Sequence, residues 1–485
     1  MFSLLPLLSL IVPSFIAFLC LFTSPFSFLE SFYRKIEKES LLVGTSSTFF
    51  IVLSMLPDLL AGNTLETPIL FLRFDMKNAA GVTGVALIFF LTSIYNIKSE
   101  KGGRLKPSLY NFFVMLFLVC LLGLLLSYDM FLIFLFVELG IGVSITLVAH
   151  APNKISAESA FKYLIITAIS ALFVLFGLLT VYVLTGNSNI MTLANDKGPL
   201  IENPRLLIFV VACFVIGLGA DIGLVPFHGW VPDVFPASTP AVNGFFCAEP
   251  VAFILALYKL VYPFYAIYPS EIILWFMVGV GLVSLLFGVL MAFPQTDYMR
   301  MMAYTSIEEF GHMVLVLGLF TPLSFVAGEL YLVNGALMKT GMILSLGSVY
   351  LTSGTNNMNS LGGLAKKMKK VALIYLICAL SLAGVPPFSG FYSKWLLINA
   401  VYEFMLPHGV LASVSALVLL VSVSMVFVTY LVRSFHWIFL GRINEKLVDV
   451  NDVPWAMWLP TAMLAGAAIL VGLQPNLLLS LIGAP

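Results

Sequence analysis

The sequence predicts an all-α polytopic membrane protein of about 14 transmembrane helices, built from two inverted five-helix repeats with one broken helix in each. Three observations carry this expectation. Hydrophobic residues occupy 60% of the 485 positions and charged residues 10%, with a mean hydropathy of +1.05, which excludes a soluble globular domain. Apolar runs of about 20 residues, the length that crosses a hydrocarbon core of about 30 Å, recur from end to end. Two of the runs are interrupted by proline and glycine next to ionisable residues.

Spans are expected to start near residues 1, 41, 79, 108, 129, 158, 205, 240, 271, 300, 323, 371, 408 and 454. They divide the chain into an N-terminal three-helix segment (1–107), a first repeat (108–265) with its break near 226, a second repeat (271–440) with its break near 387, and a C-terminal helix (441–485). The first run lacks a basic start and a small-residue cleavage site, so it is expected to be a retained span.

Basic residues set the expected orientation. Loops after odd-numbered spans hold sixteen: Arg34, Lys35, Lys38, Lys98, Lys101, Arg104, Lys106, Lys154, Arg300, Lys366, Lys367, Lys369, Lys370, Arg433, Arg442 and Lys446. Loops after even-numbered spans hold five: Arg73, Lys77, Lys197, Arg205 and Lys259. The asymmetry predicts odd loops in the cytoplasm and both termini outside, in the inner (cytoplasmic) membrane. Lys162, Lys339 and Lys394 remain, all inside spans.

The stretch GVPPFSGFYSKW (Gly384 to Trp395) breaks an otherwise continuous apolar span at Pro386, Pro387 and Gly390. Proline removes a backbone donor and clashes with the preceding turn, so the freed carbonyls must line protein or a water cavity. Lys394 lies just beyond the break, with Phe391, Trp395 and Leu396 expected to form its low-dielectric wall. About 160 residues earlier GLVPFHGWVPD echoes the pattern around Pro226, with His228 inside the motif. Paired interruptions in two halves point to an ion path at the repeat interface.

An ionisable residue within a membrane span marks a functional site by default. Glu138 lies nine residues after Asp129, about 13 Å deep along a helix. Lys162 either pairs with Glu138 or reaches the interface through its long stem. Asp221 and Glu249 sit beside the freed backbone of Pro226 and Pro250, as relay groups or as caps of a kink. Glu308 and His312, four apart, share a helix face; Lys339 has span on both sides. The five cysteines and five histidines are scattered, so no metal, haem or cofactor is expected, and no nucleic acid.

The motifs VPFHGWVPD, QTDYMRMMAYTSIEEFG, VNGALMKTGMILSLGSV, LGGLAKKM and SLAGVPPFSGFYSKW identify a resemblance running from about Asp129 to Gly441. The chain resembles the antiporter-like membrane subunits shared by respiratory complex I, Mrp-type sodium/proton antiporters and archaeal membrane-bound hydrogenases with their sulfur-reducing relatives. That resemblance implies the fourteen-span fold, a central polar axis for proton transfer, and partnership with other membrane subunits, further antiporter-like ones included. Glu138 takes the place of the family's fifth-span glutamate and Lys394 that of its twelfth-span lysine. At the seventh-span lysine stands Asp221, and near the eighth-span base stand Val251 and Glu249. Gly335 and Glu309 replace expected histidines. An acid beside Glu138 cannot serve as its positive partner. The implied function is therefore a proton- or sodium-translocating subunit of a redox-driven complex, without a catalytic or redox centre of its own. Its alternatives are a structural subunit that has lost transport in its first half, or a subunit of a stand-alone Mrp-type antiporter.

Overall fold

The computed structural model describes residues 3–23, 30–67, 69–99, 102–193, 198–444, 447–448 and 452–482. Lys101, Lys197, Lys446 and the final residues to Pro485, used in the topology argument, lie outside them. In hydrocarbon only a helix satisfies all its own backbone groups, and the chain is almost entirely helical. Helices α1 (Leu5–Thr23), α2 (Glu30–Leu60) and α3 (Ala79–Ser99) form the N-terminal segment. A hairpin of β1 (Leu65–Thr67) and β2 (Leu72–Phe74) links the last two. Then follow α4 (Pro107–Leu126), α5 (Met130–Ala149), α6 (Lys154–Thr185), the short α7 (Gly198–Glu202), α8 (Pro204–Ile222), α9 (Val231–Ala237), α10 (Pro240–Phe246) and α11 (Glu249–Ile267). The second half holds α12 (Glu271–Ala292), α13 (Tyr298–Leu317), α14 (Pro322–Ser353), α15 (Lys369–Ala383), α16 (Ser389–Met405) and α17 (Val410–Phe439). It is followed by α18 (Trp455–Leu473) and α19 (Asn476–Ile482).

Eleven helical segments among the described residues are long and apolar enough to cross a membrane, α10 and α11 counting as one. Reaching the expected fourteen requires adding the shorter α1, the charge-bearing α13, and the pair α15–α16 as further spans. Helix starts agree with the expected ones to within a few residues except at α2, which begins at Glu30 and carries positions 34, 35 and 38 on a helix rather than in a loop. Lys259, counted above as a loop residue, lies inside α11, and Arg205 lies in the first turn of α8.

The two halves repeat one another in detail. Asp129 caps α5 by accepting from the amides of Phe131 and Leu132, and Asp297 caps α13 through Met299 and Arg300. Each aspartate also bridges to an asparagine 60 residues on, Asn189 and Asn357. Helices α6 and α14 are both 32 residues long and end on left-handed glycines, Gly186 and Gly354. All these pairs share an offset of 168. At the breaks the offset becomes 161: Gly223 and Gly384 end α8 and α15 with φ of 92° and 80°, and each is followed by a cis X-Pro bond, at Pro226 and Pro387.

Helix α14 is enclosed along almost its whole length, packed against α3, α10, α13, α15, α16 and α18, whereas α6 and α17 leave most of theirs on the outer surface. The core therefore sits around α14. Helices α12 and α13 approach at backbone distance, because a Cβ on Gly281, Gly288 or Gly311 would meet backbone of the facing helix within 2.4 Å. Small residues of this kind are what let membrane helices pack without a hydrophobic drive between them.

Candidate functional site

An enclosed cavity of about 30 Å3 lies where the two halves meet. Its charged lining comes from Asp221 and Glu249 of the first half and Glu309 and Lys339 of the second, with Ser306 between them. A water requires about 10–15 Å3 measured in this way, so the space admits water.

On the first-half side, the sequence breaks the helix at Gly223 because only glycine takes its left-handed φ without strain. Asp221, two residues earlier, is fully buried and accepts a hydrogen bond from Ser170 of α6, leaving its second oxygen without a partner. Trp230 stitches the break by donating its indole N–H to the freed carbonyl of Ala220 at 3.0 Å, and stacks on Tyr163 at 4.0 Å. Tyr163 in turn donates to Glu249 Oε1 at 3.1 Å and accepts from Ser144 at 3.1 Å. Glu249 opens α11 immediately after the interruption at 247–248, as Pro250 required, and a carboxylate in a first helical turn faces unpaired amides. Glu138 is half-buried on α5, with one oxygen enclosed and unpartnered, close enough to Asp221 for the two charges to interact.

On the second-half side, Lys339 forms a buried ion pair with Glu309 and donates to Ser306 Oγ at 3.1 Å; its ammonium lies 5.3 Å from the Phe310 ring centroid. Glu308, held against α12 through Gly288, is completely buried. His312 Nδ1 stands 2.9 Å from Glu308 Oε1, but without the alignment of a hydrogen bond. Lys394 Nζ reaches the carbonyl of Ala383, freed by the second break, at 3.4 Å, and sits 4.4 Å from the ring centroid of Phe427 on α17. Gly390 is obligatory here, since a Cβ would come within 1.6 Å of the Ser381 carbonyl. Ser389 ties the break to α14 by donating to Asn334 and bonding Ser381 at 3.1 Å.

The structure corrects several expectations. Lys162 does not face Glu138: it is half-exposed and paired with Glu158 at 2.9 Å and Asp233 at 3.0 Å, while Arg300 holds the other oxygen of Asp233 at 2.9 Å. Its long stem and the outward face of α6 decide this. His228 packs its ring 4.3 Å from Phe287 of α12 and does not line the cavity. Phe391 and Trp395 are partly exposed and line a pocket together with Lys394, while the ring that lies over its ammonium is Phe427 of α17. Glu309, which stands where the resemblance led us to expect a histidine, is the partner of Lys339. The doublet in TSIEEFG was the available signal, but consecutive helical residues differ by about 100° and only packing chooses between them. Buried Glu329 and Asp75, with the partly buried Lys259, carry no motif that marks them as a site in the sequence.

Residues 127–420, more than half of the chain, match the family model described as NADH:quinone oxidoreductase/Mrp antiporter, transmembrane. The chain belongs to this family of multi-pass membrane proteins. It is 32% identical over 333 residues to NADH-quinone oxidoreductase subunit N of Desulforudis audaxviator, covering 67% of this chain and 65% of that one. It is 28% identical over 397 residues to a Na(+)/H(+) antiporter subunit of Alkalihalophilus pseudofirmus, covering 81% and 77%. The fold matches a chain in the structure of the membrane-bound sulfane sulfur reductase, an archaeal respiratory membrane complex, with a TM-score of 0.87 at 23% identity over 99% of this chain and 96% of that one. Within the family, this antiporter-like chain carries Asp221 and Glu249 where the resemblance implied bases.

Proposed function

We propose that the chain translocates protons or sodium ions as a membrane subunit of a redox-driven multisubunit complex, holding no redox centre itself. The observation that carries this reading is the central cavity, where Asp221 and Glu249 of one half face Lys339 and Glu309 of the other. Glu138 feeds it from the first half; Glu308 and Lys394 continue it in the second. A buried chain of ionisable groups with water space between them is what an ion relay across hydrocarbon needs. The register shared by the two halves supports inverted repeats meeting at this cavity, with segment boundaries as read from the sequence. The partners are other membrane subunits, further antiporter-like ones among them. Copurification in mild detergent tests this: redox subunits are expected to come with the chain, and a chain isolated alone or only with antiporter subunits overturns the redox-driven assignment.

Asp221, with one unpartnered oxygen, and Glu249, which lines the same cavity, favour a second reading, that of an Mrp-type cation/proton antiporter subunit using them to hold sodium. Asp221→Lys then abolishes sodium dependence of the coupled activity while the complex still assembles. If wild-type activity is indifferent to sodium and the variant behaves as wild type, the carboxylates hold no cation and the first half is structural.

Both termini are placed outside, on the basic-residue asymmetry. Ala61→Cys, exposed after α2, is expected to react with an impermeant thiol reagent from outside intact cells and Lys154→Cys only in inverted vesicles. The reverse pattern would invert the orientation.

A further inference from the structure

The geometry points to a second polar site, a proton port formed by Lys259, Glu329 and Asp75 that connects the central cavity to an aqueous vestibule on the hairpin side of the membrane. The inference rests on the proposed ion relay and gives it an outlet.

The vestibule has a volume of about 340 Å3 and opens at the C-terminal end of α11, beside the loop that carries Ile190 and Met191. Its charged lining residues are Lys77 and Lys259, set among Tyr128, Tyr258, Tyr262 and Phe325. Two ammonium groups and no carboxylate at the wall disfavour a sodium ion there and leave protons as the cargo. Lys259 marks the inner end. It donates to the carbonyls of Leu125, in the last turn of α4, and of Ser127, just past its end, and stands 4.5 Å from the ring centroid of Tyr128.

Behind it lies Glu329, on α14, completely buried with neither oxygen hydrogen-bonded. It sits beside the Gly81 amide in the first turn of α3 and within charge range of Lys259 and Asp75. Asp75 is already saturated, accepting from Tyr128 at 2.8 Å and the amide of Lys77 at 3.0 Å, with Arg73 Nε 3.0 Å away. Asp75 is thus held by Arg73, which also pairs with Glu66 at 3.1 Å, and the mobile proton is shared by Glu329 and Lys259. A capping lysine on α4 would account for Lys259 alone. It would not account for an unsatisfied carboxyl buried opposite it, a costly feature that a structural role does not require.

Glu329 shares a helix face with Leu332, Ala336 and Lys339, which line the central cavity, and lies about 4.5 Å along the axis from Leu332. The cavity wall nearest Glu329 on α14 is the apolar Leu332, with Phe253 of α11 also in the lining. Such a plug prevents a standing water wire and confines transfer to moments when it opens. In the outward step the Lys259 ammonium releases a proton to vestibule water, and the Glu329 carboxyl then gives its proton to the resulting amine, which restores the ammonium and leaves a carboxylate.

The test uses the intact complex reconstituted in vesicles, with a pH-sensitive dye reporting the gradient built per turnover. Glu329→Gln and Lys259→Gln are each expected to lower it by about tenfold or more at unchanged subunit content, and Glu329→Asp to recover part of it. In Ala266→Cys, whose side chain lines the vestibule, a bulky impermeant thiol reagent added from the vestibule side is expected to give a comparable loss that the unsubstituted complex does not show. The Cys readout decides if Lys259→Gln fails to assemble. Wild-type gradients in Glu329→Gln, or an unblocked modified Ala266→Cys, overturn the port. If Lys394→Ala abolishes the gradient in that same experiment, the central relay stands without this outlet; if it too is silent, the relay itself is wrong.

Discussion

Lys394→Ala leaves the complex assembled and its driving reaction running while the ion gradient built per turnover falls by about tenfold or more. Lys394 is buried beside the second break, yet among the described residues it has no ion pair; its one hydrogen bond is the 3.4 Å contact to Ala383 O. Removing it therefore strands no dedicated counter-charge. Val385 N–H still satisfies Leu380 O, and Ser381 still bonds Ser389, so the break keeps its shape. What disappears is a protonatable amine lying over Phe427 and within charge range of Glu308 and Glu309. Its charge is supported by those carboxylates at a distance, so a proton shift among them decides whether the amine is charged. Moving one charge against 100 mV takes about 2.3 kcal/mol, within reach of such a shift. Gradient formation at wild-type level per turnover in Lys394→Ala would remove this lysine from the path.

Lys339→Met has a different outcome, although it too deletes a buried lysine. Lys339 is the direct ionic partner of Glu309, and breaking a buried pair from one side leaves an uncompensated charge, typically worth about 3–5 kcal/mol. The single variant is expected to lower the thermal stability of the purified complex as well as its transport. The double variant Lys339→Met with Glu309→Gln removes both charges and should recover most of the stability while transport stays lost. A double variant no more stable than the single would show that the pair is not coupled in this way. The contrast follows from geometry: one lysine is held by a carboxylate, the other by a carbonyl.

Some of this was legible in the sequence. Span lengths are fixed by hydrocarbon thickness, a one-dimensional constraint, which is why the expected starts at 79, 205, 240 and 271 fall on the observed helices to within a residue. The breaks were legible because proline and glycine act on the backbone locally, at Pro226 and at Pro386 to Gly390. Orientation about each helix axis was not, since helices apolar on nearly every side carry no stripe to say which face turns inward. Only packing turned Lys162 out towards Asp233, chose Glu309 over Glu308 for Lys339, and brought Phe427 from α17 over Lys394. Only packing set Lys259, against the end of α4, within charge range of Glu329 beside α3, because residues 70 positions apart meet where α11 packs on α14 and nothing in either neighbourhood announces the other.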